Sequence, residues 1–150
     1  MRRWFQTLGA REIMQGLVDS GPAADQDGIT AATVISDISI TVADRSGPVF
    51  VFGTIGFVNR DVLGNAVQAR ILQEGVPVAA TTQNITMGAV DNTTGSVSMM
   101  AVVENVAIGQ TFTLDIFGGG TGLDVKADNA KLVVLGLAAQ GAEVANLVSP

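Results

Sequence analysis

A chain of 150 residues is long enough to fold as one domain with its own hydrophobic core. It contains no cysteine, histidine or tyrosine, which excludes disulfide bonds, a histidine-based catalytic triad, and thiolate or imidazole metal ligands. The net charge is −6, yet residues 12–150 hold all fourteen acidic and only five of the eight basic residues, a net of −9. Residues 12–150 therefore repel nucleic-acid phosphates, and we expect no DNA or RNA partner; only the basic N-terminal tip could make such contacts.

The chain is apolar for a protein without a membrane span. Its mean hydropathy is +0.41, and 47% of its residues are hydrophobic. Polar residues interrupt every candidate for the run of about 20 apolar residues that a spanning helix needs. We therefore expect no membrane partner, and a chain that buries apolar surface in its own core and again against neighbouring subunits.

The first segment, Met1–Val18, has the apolar spacing of a helix, although Gly9 and Gly16 weaken that prediction. We expect a short helical or extended arm that docks on the protein's own body or on a partner; a membrane-surface helix and a disordered arm are the alternatives. Turn-forming residues fill Asp19–Gly28, so residues 1–28 are predicted to be an arm and linker. The candidate residues of this arm for docking on a partner are Arg2, Arg3, Trp4, Phe5, Leu8 and Arg11.

Strand and turn signals alternate about every ten residues from Ile29 onward, which predicts a β-sandwich over residues 29–137. The run Val49–Val58 is continuously apolar, so both of its faces should be covered. Residues 138–150 are predicted to form an apolar tail that packs on a neighbour or along the sandwich. The predicted strands are Thr30–Ser36, Ile38–Ala43, Val49–Val58, Val67–Leu72, Val76–Ile85, Ser96–Glu104, Gln110–Phe117, Leu123–Asp128 and Ala130–Leu137.

Patterns that suggest chemistry are weak. The glycine run Gly118–Gly122 lies between two predicted strands, whereas a phosphate-binding loop leads into a helix, so we interpret it as a hairpin connection. Three carboxylates, Asp115, Asp124 and Asp128, are predicted on neighbouring strands, but no sugar-stacking aromatic accompanies them as a glycosidase site requires. Asp25 and Asp27 lack the remaining ligands of a calcium loop. We therefore expect no enzymatic activity, no cofactor and no metal.

Four segments together resemble a known family: Val49–Phe57, Val67–Pro77, Val106–Leu114 and Ala130–Leu137. Their order and character are similar to the trimeric jelly rolls of the tumour-necrosis-factor-like and complement-globular-head-like superfamily, in the short form found in bacteriophage structural proteins. The resemblance implies an all-β jelly-roll sandwich of about eight antiparallel strands that assembles as a homotrimer. The chain departs from the animal families because it lacks tyrosine, whereas aromatic rings often line their trimer axis.

Within that resemblance, apolar residues of the long central strand and of the last strand are the candidates for the trimer interface. Their alternative role is packing in the ordinary core between two sheets. The candidate residues are Val49, Val51, Ile55, Phe57, Val133 and Leu135.

These features favour a virion structural protein, made in the host cytoplasm and placed on the capsid surface. The specific expectation is a trimeric capsid decoration protein that stabilises a phage head, with the major capsid protein or another virion protein as its partner. The alternative is a head-fibre, tail-fibre or spike module that binds a host-surface glycan through the loops Asn59–Asn65, Thr86–Gly95 and Gly118–Gly122. Those loops contain no aromatic residue, which glycan sites favour.

Overall fold

The protein is all-β. A computed structural model describes residues 16–43, 46–60, 65–87, 92–118 and 122–137, and these residues form twelve strands and no helix. No described segment could therefore cross a membrane as a helix. The strands are β1 (Gly16–Gly21), β2 (Gln26–Ile29), β3 (Thr33–Val34), β4 (Ile40–Thr41), β5 (Gly47–Asn59), β6 (Asn65–Gln73), β7 (Val76–Pro77), β8 (Gln83–Met87), β9 (Thr93–Val106), β10 (Thr111–Gly118), β11 (Leu123–Val125) and β12 (Ala130–Gly136).

The strands make two antiparallel sheets of four rows each. In the first sheet, β1 and β2 form one row beside β12 and β11, which lie beside β5, and β9 is the far edge. In the second sheet, β3 and β4 lie beside β10, followed by β6, with β7 and β8 at the edge. Numbering the eight rows in chain order gives 1-8-3-6 and 2-7-4-5, which is the order of a jelly roll. The predicted fold class is confirmed.

The hydrophobic core lies between the two sheets. Strand β5 alternates strictly between buried and partly buried residues, as expected for a central strand with one face on the core. The two sheets are in close contact at Gly53, where a β-carbon would lie 2.6 Å from the Leu114 Cδ2 atom and 3.4 Å from the Ile71 Cγ1 atom. Any other residue at this point of the central strand would force the Leu114 side chain to move.

The first two strands lie in segments that were predicted to be arm and linker. Residues 16–18, expected to be helical or extended, are strand, because β1 pairs with β12 in a continuous register from Gly16–Leu135 to Gly21–Ala130. The segment predicted as linker also contains β2, so the sheets include residues before residue 29. For residues 16–18, pairing with β12 overrides local helix propensity.

The predicted strand Val76–Ile85 is divided into β7 and β8. Ala80 has a left-handed φ of 65°, and the buried Thr81 hydroxyl donates to the Val78 carbonyl at 2.8 Å. The Ile71 N–H in turn donates to that hydroxyl at 3.2 Å. The Thr81 hydroxyl thus takes the place of a backbone group of the neighbouring strand. The edge row of β7 and β8 bends at this position.

Both ends of the described chain lie at one end of the sandwich. Gly16 is opposite Leu135, and the Leu137 N–H donates to the Pro48 carbonyl at 2.9 Å. The connections after Asn59, Met87 and Gly118 leave from the opposite end, where the ends of β5, β9 and β11 are paired. The molecule therefore has a terminal end and a loop end.

Candidate functional site

Four of the eight large hydrophobic residues that are exposed in the described part of the chain lie on the outer face of the first sheet. Two cross-strand rows run side by side over its four strands. One row aligns Val18 with Val133, Phe52 and Met100, and the other aligns Gly16 with Leu135, Phe50 and Val102. The outer apolar face is defined here as Val18, Phe50, Phe52, Met100, Val102, Val133 and Leu135.

Several of these side chains keep most of their surface in contact with solvent. The exposed fraction is 66% for Val18, 59% for Met100, 54% for Val102 and 36% for Leu135. The other three members lie in the middle strands and are partly buried. Monomeric proteins rarely expose contiguous apolar patches larger than a few hundred Å², and such patches mark interaction surfaces.

Four of the six predicted trimer-interface residues lie in the core between the sheets. Val49, Val51, Ile55 and Phe57 are each at most 4% exposed and belong to the core between the sheets. Neighbouring residues of a strand face opposite sides, so these odd-numbered positions point inward while Phe50 and Phe52 point outward. The alternative role, packing between the two sheets, is the one that the structure gives them.

Val133 and Leu135 do lie on the outer apolar face. The sequence also held a signal for the members that the prediction omitted. The run Val49–Val58 was expected to be covered on both faces. Its outward residues were therefore as good candidates for the trimer interface as its inward ones. In β9, Met100 and Val102 alternate with Met99, whose side chain points inward. Once the segment is recognised as a strand, this alternation places Met100 and Val102 on the outer face.

The predicted docking residues Arg2, Arg3, Trp4, Phe5, Leu8 and Arg11 lie outside the described residues. The described chain starts at Gly16, which is in the same cross-strand row as Leu135, Phe50 and Val102. Residues 1–15 are therefore attached directly at the border of the outer apolar face. The predicted tail, residues 138–150, also lies outside the described residues and follows β12 at the same end.

The main polar cluster holds the row of β1 and β2 against β11. The buried Asp124 carboxylate accepts hydrogen bonds from the Gly28 N–H at 3.0 Å and from the Arg60 side chain. Lys126 contacts Asp25 at 3.0 Å and Asp27 at 2.9 Å, and the Ala127 N–H donates to Asp25 at 2.9 Å. These contacts fix the turn after Pro22 in place.

The electrostatics of this cluster follow from its contacts. Burial alone raises the pKa of Asp124, but hydrogen bonds from Gly28 and Arg60, with the charges of Arg60 and Lys126, outweigh it and leave that pKa below its ordinary value. Hydrogen bonds from Asp27 and Asp25 raise the pKa of Lys126. Asp124 and Lys126 are therefore held in their charged forms at neutral pH.

In the second sheet, the buried carboxylate of Asp115 forms an ion pair with Arg70. The Arg70 Nε donates to the Asp115 Oδ1 atom at 3.0 Å, and its Nη2 donates to the second oxygen of the same carboxylate. This forked pairing joins the facing positions of β6 and β10 and raises the pKa of Arg70. It satisfies the charge of an acid that is only 4% exposed.

The three carboxylates considered from sequence do not converge. Asp115 lies in the second sheet, Asp124 lies in the first, and Asp128 is an exposed turn residue with a left-handed φ of 59°. No group of three acidic residues that could hold a metal ion exists among the described residues. The connection after Gly118 also differs from the expected hairpin, because it carries the chain from one sheet to the other.

Comparison with known proteins supports the fold. No protein-family model matches the chain, and no curated protein gives a significant match. A solved structure of infectious bursal disease virus, Gx strain, matches with a TM-score of 0.50 and 13% identity, over 81% of this chain and 32% of that one. The Gt strain of the same virus matches over 82% of this chain and 32% of that one, with 14% identity and a TM-score of 0.49, which is too low to support an argument.

A bacterial structure is equally similar. Dimeric latent PorU from Porphyromonas gingivalis matches with a TM-score of 0.52 and 8% identity, over 79% of this chain and 12% of that one. The chain therefore spans about a third of the viral chains and about an eighth of PorU. At these identities the comparisons show a shared β-sandwich fold, which occurs in a viral and in a bacterial protein.

Proposed function

We propose that this chain is a non-enzymatic virion structural protein, a capsid decoration protein that assembles as a homotrimer on the surface of a phage head. The observation that supports it most is the outer apolar face, which an isolated subunit leaves in contact with water. Burying one Val, Leu or Met side chain contributes roughly 1.5–3 kcal/mol, so a face of seven apolar residues can stabilise subunit contacts.

The position of the chain ends supports the same role. Residues 1–15, with Arg2, Arg3, Trp4 and Phe5, continue from the border of the outer apolar face. An arm with aromatic residues and arginines suits insertion into an acidic, apolar groove of a major capsid protein. The resemblance in fold to a chain of infectious bursal disease virus is consistent with a virion role.

The described polar residues do not favour catalysis. Asp115 and Asp124, the two buried carboxylates, are engaged by Arg70 and by Arg60 and lie in different sheets. An acid–base pair needs two groups in one cleft with different pKa values. The proposed role therefore depends on surfaces and not on a reactive group.

The proposal is tested by locating the chain on particles. Virus particles encoded by the same genome are purified, heads are separated from tails, and the chain is quantified in each fraction by mass spectrometry and immunogold labelling. We expect it on the outside of heads in a fixed ratio to the major capsid protein. Finding the chain only in the soluble cell fraction, or only on tails, would contradict the proposal.

One observation favours the second candidate, a glycan-binding fibre or spike module. The connections after Asn59, Met87 and Gly118 all leave at the loop end, opposite the chain termini. A module attached through its termini would present these loops outward. Glycan-array binding by the intact chain, lost when Arg60→Ala and Asn92→Ala are combined, would favour this candidate over the first.

A further inference from the structure

Strand β9 is an open sheet edge of unusual length. It has 14 residues, and among the described residues it pairs only with β5. The register with β5 is uninterrupted from Thr93, opposite Asn59, to Val103, opposite Val49. Along its other side, no described strand pairs with the stretch from Thr94 to Val103, so alternate backbone N–H and C=O groups of that stretch can accept a further strand.

The other three edge rows are interrupted. The row of β1 and β2 is broken after Gly21 by Pro22, and the row of β3 and β4 consists of two strands of two residues each. The row of β7 and β8 contains Pro77 and the bend at Thr81. Short strands, prolines and bends are the devices by which proteins prevent edge-to-edge pairing.

Strand β9 has no proline, break or bend between Thr93 and Val103, where its register with β5 is uninterrupted. It has no lysine, arginine or proline, and its one charged residue is Glu104, beyond the regular register. The inward residues Ala101 and Val103 are only partly buried against the core. An added strand would cover these side chains as well as pair the backbone.

We propose that β9 pairs with β9 of a second copy, antiparallel and about a twofold axis, so that the two first sheets become one continuous sheet. The second copy is the fitting partner because it offers a free edge of the same length. The body of the protein is acidic, and β9 is a stretch along which two copies meet without opposing like charges. An isologous contact satisfies both edges at once.

This contact goes beyond the proposed function and does not depend on it. Edge pairing uses backbone groups in the plane of the sheet, whereas the side chains of the outer apolar face point out of that plane. A threefold contact on the face and a twofold contact on the edge can therefore coexist. On a capsid the two contacts together would join trimers into a layer.

Single cysteines test the contact, because the chain contains no cysteine of its own. Facing residues of an antiparallel pair share one face, so the axis is scanned with Ser96→Cys, Ser98→Cys, Met100→Cys and Val102→Cys, all at exposed outer-face positions. Facing α-carbons lie about 4.5–5.5 Å apart, within disulfide range, while a position two residues from the axis is about 14 Å from its copy. The control is Val76→Cys on β7, which is 65% exposed.

Each variant is oxidised mildly alone, for an axis at its own position, and in a mixture with its neighbour in the scan, for an axis between the two positions. We expect one variant or one mixture to form a disulfide-linked pair at least about tenfold faster than Val76→Cys. Equal rates at all positions, including the control, would overturn the proposal. A second measurement uses the unmodified chain: amide exchange in β9 should slow as protein concentration rises. Concentration-independent exchange in β9 would also overturn the proposal, whether or not the chain is found on virus particles.

Discussion

At the scale of single residues, each of the two buried carboxylates links chain segments that are distant in sequence. Asp124 joins the Gly28 N–H and the Arg60 side chain, and Asp115 joins Arg70 across two strands. No buried side-chain nitrogen or oxygen of the described residues lacks a hydrogen-bond partner. Both carboxylates are therefore structural, because their hydrogen-bonding capacity is directed to neighbouring backbone and arginine groups.

Replacing Asp124 tests this assignment. Asp124→Asn removes the charge that Arg60 and Lys126 stabilise and should lower the free energy of unfolding by about 1–3 kcal/mol at pH 7. Denaturant unfolding measures the loss. Asp128→Asn, at an exposed turn position where asparagine also tolerates a left-handed φ, is the control and should change stability little.

The difference in stability between the wild-type chain and Asp124→Asn should also depend on pH, and the direction of that dependence can be predicted. The pKa of Asp124 is lower in the folded chain than its ordinary value of 3.8, so its contribution is complete above that value and is lost as the pH falls through the folded pKa. The stability difference between the wild-type chain and Asp124→Asn should shrink on acidification below pH 3.8. A difference that stays constant from pH 7 to pH 2 would contradict the assignment.

The sequence did not predict these pairings, for a physical reason. Arg60 and Asp124 are 64 positions apart, and their contact depends on β11 lying beside β5. Local patterns carry no register between distant strands. The same limit explains why Asp115 and Asp124 were expected on neighbouring strands, although the chain changes sheets between them.

At the scale of elements, alternation predicted most strands but could not assign their faces. In β5 both faces are apolar, so Phe50 and Val51 look alike in sequence and only the packing distinguishes them. The short edge strands were predicted too long or, in β1, as helix, because edge rows here have few ladder bonds and their ends depend on turns. The central strands β5, β6, β10 and β12 carry two neighbours each and were predicted well.

The contact between the sheets yields a prediction at Gly53. Gly53→Ala would place a β-carbon 2.6 Å from the Leu114 Cδ2 atom, and overpacking of this kind costs about 1–3 kcal/mol. The loss is measured by thermal and denaturant unfolding. It should exceed the small gain, at most about 1 kcal/mol, from removing a glycine within a strand.

A double-mutant cycle identifies the cause. Leu114→Val removes a carbon from the crowded side chain, so the double variant should be more stable than the sum of the two single effects predicts. Strict additivity would mean that Gly53 and Leu114 do not press on each other, and that the destabilisation has another source.

At the scale of the whole molecule, the jelly roll separates a terminal end from a loop end and leaves one sheet face apolar. The fold class was predictable because strand spacing and turn signals are local. The outer apolar face was predictable only in outline, as an excess of hydrophobic residues, since its two rows combine residues from four strands that are distant in sequence.

The proposed role of the arm in capsid attachment is tested by deleting the residues that precede β1. Removing Met1–Gln15 leaves every residue of β1 in place, whereas a deletion through Val18 would also remove half of a paired strand. We expect the shortened chain to keep its unfolding midpoint and to lose attachment to capsids in a co-sedimentation assay. Undiminished attachment would remove the arm from the proposed mechanism.

The most direct test of assembly through the outer apolar face is the native mass of the intact chain. We predict trimers of three times 15.4 kDa, alone or joined in pairs through β9, and a loss of these trimers when Val18→Lys places a charge on the outer apolar face. Val76→Lys, which changes an equally exposed valine on the other sheet, should leave the trimer intact. A wild-type chain that stays at 15.4 kDa at every concentration, or a trimer that Val18→Lys does not weaken, would contradict assembly through this face.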